Sequence, residues 1–460
     1  MHSGILLSRT DYKRENLRMR MNRLFRMALG LVFLAGTLPV GLAAQTSSAD
    51  TDKKIADLER QLEAMRVELD ALKARPAAPV AVAVAAPAAA ATPAAAPAPD
   101  PLAGITGVLG GVTLSGLVDV YYGYNANHPA NGTVTEPFQQ TNSQFSLNLL
   151  EMQLDKVPDK TSPLGFRVAL GFGQAINAVN GSDPGGIAVA QYLKEGYLSW
   201  LAPVGKGLQI DAGKFVTPAG AEVIETNQNW NYSRSLLFYD AIPYYHLGVR
   251  AKYTFNEKWS VTGLAVNGWN SLIDNNTGKT GGVSIGWNPT KKLSFTENYF
   301  AGPEQNMDNS DWTQLTDTVV TYNPTPKLSL MGNVDYGRVD QWTVTQKTAD
   351  YAGIAAYVKY AVTPKVTVAG RYEYLNDHDG FATRAMSSGP SPVLTITPQH
   401  LNEFTGTVER RIAGHLLSRL EVRHDGSNAY YFQRGGPSLV KGQTTVDAGL
   451  VWVLEPDAAK

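Results

Sequence analysis

The sequence predicts an all-β fold: a transmembrane antiparallel β-barrel of about 16 strands, preceded by a coiled-coil helix and an Ala/Pro linker. Three observations carry this. Residues after Val112 alternate apolar and polar with period two in segments of about ten residues, the mark of a strand with one face to lipid and one to water. Charged residues fall on the polar face of these segments, which a soluble sandwich core would not accept. Turns are short at one end of the strands and long at the other, the asymmetry of a membrane barrel.

The chain opens with Arg18, Arg20, Arg23 and Arg26, then an apolar run, Met27–Leu42, then Ala43, Ala44 and Gln45. This reads as a signal peptide over residues 1–44, cleaved after Ala44. The run is short for a spanning helix of ~20 residues. The longest later stretch without charges, residues 76–99, is broken by repeated prolines that block a regular helix, and a membrane protein without spanning helices must close its backbone hydrogen bonds in a barrel.

Residues 45–75 carry Ile55, Leu58, Leu62, Met65, Leu69 and Leu72, alternately three and four apart. That spacing keeps a narrow apolar seam on one helix face, the pattern of a short coiled coil. Residues 76–110 are rich in Ala and Pro, which favours an extended, semi-rigid spacer. Both segments are expected in the periplasm.

The barrel domain is expected over residues 111–455. Strands are placed near 112–124, 145–155, 164–172, 189–201, 208–215, 247–255, 259–267, 281–287, 293–300, 314–322, 328–336, 352–361, 365–374, 403–412, 416–424 and 444–454. In Leu416–Arg423 the residues Leu417, Arg419, Glu421 and Arg423 share one face. In Thr445–Leu454 the outward set is Val446, Ala448, Leu450, Trp452 and Leu454. A change of phase near Leu149–Leu150 predicts a β-bulge. Glu297 falls on the lipid face. Short turns recur at Phe255–Trp259, Trp287–Leu293, Tyr322–Leu328 and Val362–Val366. Tyr122, Tyr124, Trp200, Trp259, Trp287, Tyr322 and Tyr360 sit at strand ends, as interface girdles do.

The even strand count puts both ends on the short-turn side, and sixteen strands enclose a water-filled channel. The third long connection, residues 216–247, is aromatic, bears charges of both signs and is too long for an ordinary loop. Within Gly213–Phe255 the phrases PAGAEVIE, NYSRSLLF and HLGVRA resemble the OmpL-like outer-membrane β-barrel porin family; the likeness extends across 112–454 through alternation and turns. The resemblance implies an outer-membrane porin for passive diffusion of small hydrophilic solutes or ions, with the third loop folded inward as the constriction.

Glu222, Glu225, Arg234 and Asp240 are then the constriction residues. By parity Arg167, Arg250, Lys252, Lys359, Arg371, Arg411, Arg419 and Arg423 line the pore, as do Asp119, Glu151, Glu195, Asp211, Asp335, Glu373, Glu409, Glu421 and Asp447. Two readings stand side by side: these charges pair and merely solubilise the interior, or loop acids face a basic wall and set a transverse field. Arg234 is a candidate to pin the loop to Asp211 or Glu195. A sugar-type channel is a variant, with Trp230, Tyr232, Phe238, Tyr239, Tyr244 and Tyr245 as a stacking slide. A structural anchor, whose coiled coil engages the cell wall or a partner, is the alternative.

Outer-membrane lipid and small solutes are the expected partners, and a homotrimer is one assembly open to such a barrel. With 40 Lys and Arg against 41 Asp and Glu there is no basic face for nucleic acid. Cysteine is absent, so disulfides and thiolate metal sites are excluded. The histidines show no metal spacing; His246 and His424 read as solvated. No cofactor is expected. Gly282–Gly286 matches G-x-S-x-G, but within a strand rather than at a strand-to-helix turn, so no enzyme is expected.

Overall fold

The computed structural model describes residues 111–454 apart from 131–136, 182, 184–189, 384 and 387–393. The signal peptide, coiled coil and linker expected over 1–110 lie outside the described residues. Sixteen antiparallel strands close on themselves. They are β1 (Thr113–Asn125), β2 (Gln144–Lys156), β3 (Leu164–Phe172), β4 (Leu193–Ala202), β5 (Leu208–Val216), β6 (Tyr245–Thr254), β7 (Trp259–Val266) and β8 (Thr280–Thr290). The second half comprises β9 (Leu293–Pro303), β10 (Trp312–Tyr322), β11 (Leu328–Trp342), β12 (Lys347–Thr363), β13 (Val366–Asp377), β14 (Gln399–Ala413), β15 (Leu416–Ser427) and β16 (Gly442–Leu454). Closure is made by β1 on β16, from Gly116 opposite Leu454 to Asn125 opposite Thr445. Closing the sheet leaves no unpaired edge.

The alternation read from sequence is the alternation of the wall. On β15, Leu417, Arg419, Glu421 and Arg423 are buried inside, while Val422 is exposed outside. On β16, Leu450, Trp452 and Leu454 are exposed outward. The bulge expected near Leu149 is present: register slips between Asp119 and Val120, whose partners are Leu149 and Leu147. The extra residue, Asn148, turns inward and donates to Asp119 Oδ2 at 2.7 Å. Glu297 does lie on the outer face, opposite Thr318, whose hydroxyl donates to it at 2.6 Å. At the short-turn end Trp259, Trp287 and Phe295 stack in a row, with centroids 5.4 and 5.0 Å apart.

Short turns join one end of the wall, down to the two-residue link 364–365; long loops join the other. A helix, α1 (Gln174–Gly181), follows β3 and buries Ala175, Ile176 and Val179. Small two-residue and three-residue ladders, Ala385–Met386 with Leu394–Thr395 and Phe432–Arg434 with Ser438–Val440, stiffen the last two long loops. The apolar core is inside the barrel. Phe138, Ile176, Ile224, Leu237, Phe238 and Tyr244 belong to it, and all of them come from long connections rather than strands.

Candidate functional site

Residues 217–244 leave β5 and rejoin at β6, yet their hydrogen bonds end on β1, β10, β11, β13, β14 and β15. In a closed barrel of sixteen strands, β13 and β14 lie half a circumference from β5 and β6. The segment therefore crosses the interior. It holds one 3-10 turn, Thr226–Gln228, and one π-helical turn, Leu237–Ala241; its remaining backbone has no regular partner. A buried backbone must find other hydrogen bonds, and the wall supplies them in complementary fashion.

Wall acceptors take loop N–H groups. Gly220 donates to Asp317 at 3.0 Å and Ala221 to Asn333 at 3.2 Å. Ser233 donates to Glu421 at 2.7 Å, beside a second bond from the Tyr232 N–H to the same carboxylate. Leu236 and Leu237, opening the π turn, donate to the two oxygens of Glu373 at 2.8 and 3.2 Å. Wall guanidiniums take loop carbonyls. Arg419 donates to Asn229 O at 2.8 Å, Asn231 O at 3.1 Å and Thr226 O. Arg423 donates to Arg234 O and Arg371 to Ser233 O, at 2.7 and 2.8 Å. A planar guanidinium suits this work because its donors are fixed in a fork.

Glycines on the wall make room. A Cβ on Gly449 would lie 2.6 Å from the Tyr232 ring, and one on Gly353 would lie 2.2 Å from Leu237. Tyr232 there reaches across to give its hydroxyl to Asp119 at 2.7 Å. Burial and the Asp119 charge push its pKa well above the usual phenol value.

Of the four expected constriction residues, Glu222 and Arg234 are buried, and Glu225 and Asp240 are partly so. Glu222 accepts from Arg371 Nη1 and from the Ser235 N–H, at 2.8 and 2.6 Å. Glu225 pairs with Lys194, which also holds Glu151 at 2.8 Å. Burial opposes ionisation of Glu225, but Lys194 outweighs it and keeps its pKa below the ordinary carboxylate value. Arg234 corrects its expected role. It reaches neither Asp211 nor Glu195, because those pair with Arg250 and Arg167. It turns inward instead, onto the carbonyls of Ile224 and Tyr232 and over the Phe138 ring at 4.9 Å. Burial pulls its pKa down. Asp240 is half-buried and lines a cavity on the long-loop side.

The wall arginines divide in two. Arg371, Arg419 and Arg423 are buried against the crossing segment. Arg167 and Arg250 keep 30 % and 21 % of their side chains exposed and flank the Tyr197 ring at 5.9 and 5.1 Å. Lys252, nearer the short turns, is exposed. Arg411 stands at the short-turn rim, giving a hydrogen bond to Gly414 O, rather than against the crossing segment. Lys359 lies over the Trp230 ring at 4.6 Å.

Parity missed Lys194. Register slips between Ala169 and Leu170 opposite Leu193 and Glu195, so Lys194 and Glu195, adjacent in sequence, are both buried. The signal available was two successive charges inside an apolar strand. The solvated reading of His246 is also corrected. It is fully buried, its ring nitrogens on Gly268 O and the Thr217 hydroxyl, and it stacks on Phe300. His424 remains at the surface, with its Nδ1 2.9 Å from the Thr444 hydroxyl. Ser284 lies mid-strand on β8, paired with Thr262 and Asn298. Among the described residues, Asp350, His378 and Asp379 bring carboxylate and imidazole atoms within 4.8 Å of one another, a trio the spacing argument did not find; it stands half-exposed, with His378 at 3.7 and 3.3 Å from the two carboxylates.

Residues 111–452 match the family model described as "Putative beta-barrel porin-2, OmpL-like". No curated protein sequence matches the chain. Among solved structures, the anion-selective porin from Comamonas acidovorans shares the fold at 10% identity and a TM-score of 0.51, covering 75% of this chain and 99% of its own. OmpT of Vibrio cholerae in its trimer form aligns at 10% identity and TM-score 0.47, over 74% and 98% of the two chains. The outer membrane channel DcaP of Acinetobacter baumannii aligns at 10% identity and TM-score 0.47, over 75% and 97%.

Proposed function

The chain belongs to the OmpL-like β-barrel porin family, and from that membership and the crossing segment we propose that it is an outer-membrane channel for passive diffusion of small hydrophilic solutes, with residues 216–247 as its constriction. The observation that carries the reading is the unequal burial of the inner wall. Arg371, Arg419 and Arg423 are sealed by the segment, whereas Arg167, Arg250 and Lys252 on β3 and β6 keep access to water. Solutes then pass along the β3–β7 side. The paired charges there, Arg167 with Asp155 and Arg250 with Asp211, leave the passage polar without a strong sign. A homotrimer is the assembly we propose.

Single-channel conductance of the purified chain in a planar bilayer under a salt gradient tests this. Discrete ohmic steps are expected, and the reversal potential reads the ion preference. A folded protein that conducts nothing sinks the reading. A second reading, a structural anchor with the barrel shut by its own loop, is favoured by the density of bonds holding that loop. It predicts silence in the wild type and current once Arg371 is replaced.

A further inference from the structure

On the β3–β7 side, pairing balances the charges in number but not in placement. Asp211 of β5 and Glu195 of β4 are recessed in the wall, their side chains 4 % and 3 % exposed. Their oxygens already accept. Asp211 Oδ1 takes the Ser199 hydroxyl at 2.6 Å and the Gln209 amide at 3.0 Å, and Oδ2 takes Arg250 Nε at 2.8 Å. Glu195 takes the Val216 N–H at 3.3 Å and Arg167 Nη1 at 3.5 Å. Asp155 is held by Arg167 through both oxygens, at 3.4 and 3.1 Å.

The donors are in the opposite condition. Arg250 of β6 is hydrogen-bonded to the wall through Nε alone, and its guanidinium lies over the Phe215 ring at 4.5 Å and the Tyr197 ring at 5.1 Å. The terminal nitrogens of Arg250 and the hydroxyl of Tyr197 have no hydrogen-bond partner among the described residues, and none of these atoms is sealed from solvent. Lys252, the next residue on the same inner face of β6, is exposed and makes no ion pair among the described residues. Arg371 differs: its terminal nitrogens go to Glu222 and to the Ser233 carbonyl and hydroxyl.

We propose that Arg250, with Tyr197 and Lys252, forms a recognition site in the passage for the carboxylate group of a small solute. The free edge of a guanidinium meets the two oxygens of a carboxylate through two parallel bonds. Asp211 and the two rings hold that edge in place beforehand, so little freedom is lost on binding. A neutral amide presents one acceptor oxygen where the fork takes two. An ammonium ion meets cations and acids that are already neutralised. The inference rests on the channel reading and names its solute class.

The test is saturation-transfer NMR of the intact, detergent-solubilised protein with butyrate, beside butanamide and butylammonium, and with acetate and inorganic phosphate as competitors. Saturable binding of butyrate is expected, with the amide and the ammonium about tenfold weaker or more and acetate the better competitor. Arg250→Lys keeps a cation against Asp211 and removes the fork; Tyr197→Phe keeps the ring and removes the hydroxyl. The first is expected to weaken butyrate roughly tenfold and the second about threefold, with the circular dichroism spectrum unchanged. No butyrate signal from the folded protein, equal binding of butanamide or butylammonium, preference for phosphate, or unaltered binding in Arg250→Lys overturns the site; Tyr197→Phe decides in its place if Arg250→Lys does not fold. In a bilayer, butyrate is expected to reduce the wild-type current saturably. Butyrate binding by a protein that passes no current would uphold the site and defeat the channel reading.

Discussion

Arg371 of β13 and Glu222 of the crossing segment, 149 residues apart in sequence, meet at 2.8 Å with both side chains out of contact with water. Arg371 also holds Glu403 at 3.0 Å and the Ser233 carbonyl. Replacing Arg371 by Ala strands Glu222 and Glu403 as buried charges. Breaking a buried pair on one side costs about 3–5 kcal/mol. Arg371→Ala is therefore expected to raise conductance by releasing the segment and to lower the urea midpoint of unfolding. Adding Glu222→Gln is expected to recover part of that loss; a purely additive pair of effects would show that the ion pair does not hold the segment.

Lys194 is expected to matter as much, although it lies on the opposite side of the barrel. Lys194→Met leaves Glu151 and Glu225 facing each other without a cation. Loosening of about 3–5 kcal/mol should appear locally, as faster proteolysis within residues 223–230. Unchanged cleavage would place the anchor elsewhere.

Glu304 supplies a pH dependence. Burial, with Asp274 nearby, pushes its pKa from the ordinary 4.5 up to about 8, against the hydrogen bonds from the Thr280 hydroxyl and the backbone N–H of Trp269. The folded state holds this proton more tightly than the unfolded chain. Its contribution to loop stability is complete below the ordinary value, declines as pH rises, and is lost above about 8. Hydrogen exchange in residues 267–279 and 304–311 is expected to accelerate between pH 6 and pH 9 beyond its intrinsic base dependence. Glu304→Gln should remove that excess, and an excess that persists in the variant would assign it to another group.

Glu297 and Thr318 test the outer face. A carboxylate among lipid-facing side chains relies on the Thr318 hydroxyl. Thr318→Val is expected to destabilise the barrel in vesicles by about 1–3 kcal/mol, and Glu297→Leu to be neutral or stabilising. Loss of stability with Glu297→Leu would instead mean that this patch packs against another protein surface.

The wall was legible because its cause is local. Side chains of a strand alternate between two faces, so a barrel in lipid writes period two into every segment. All sixteen strands, the bulge at Asn148 and the outward position of Glu297 follow from that rule. The rule failed where the backbone departs from it, at the slip that buries Lys194 beside Glu195. It was silent about His246, because burial at a strand end depends on what packs over it.

What the sequence determined by itself was therefore the barrel, the face of those wall charges whose strands keep strict alternation, and the identity of the long segment that stands out from the other connections. Tertiary structure alone decided where that segment lands and which partners it takes. Glu222 finds Arg371, Glu225 finds Lys194, and Arg234 turns back on its own loop. The reason is physical: strand alternation is set by neighbours two residues away, whereas a buried charge is satisfied by whichever group the closed barrel brings across its diameter.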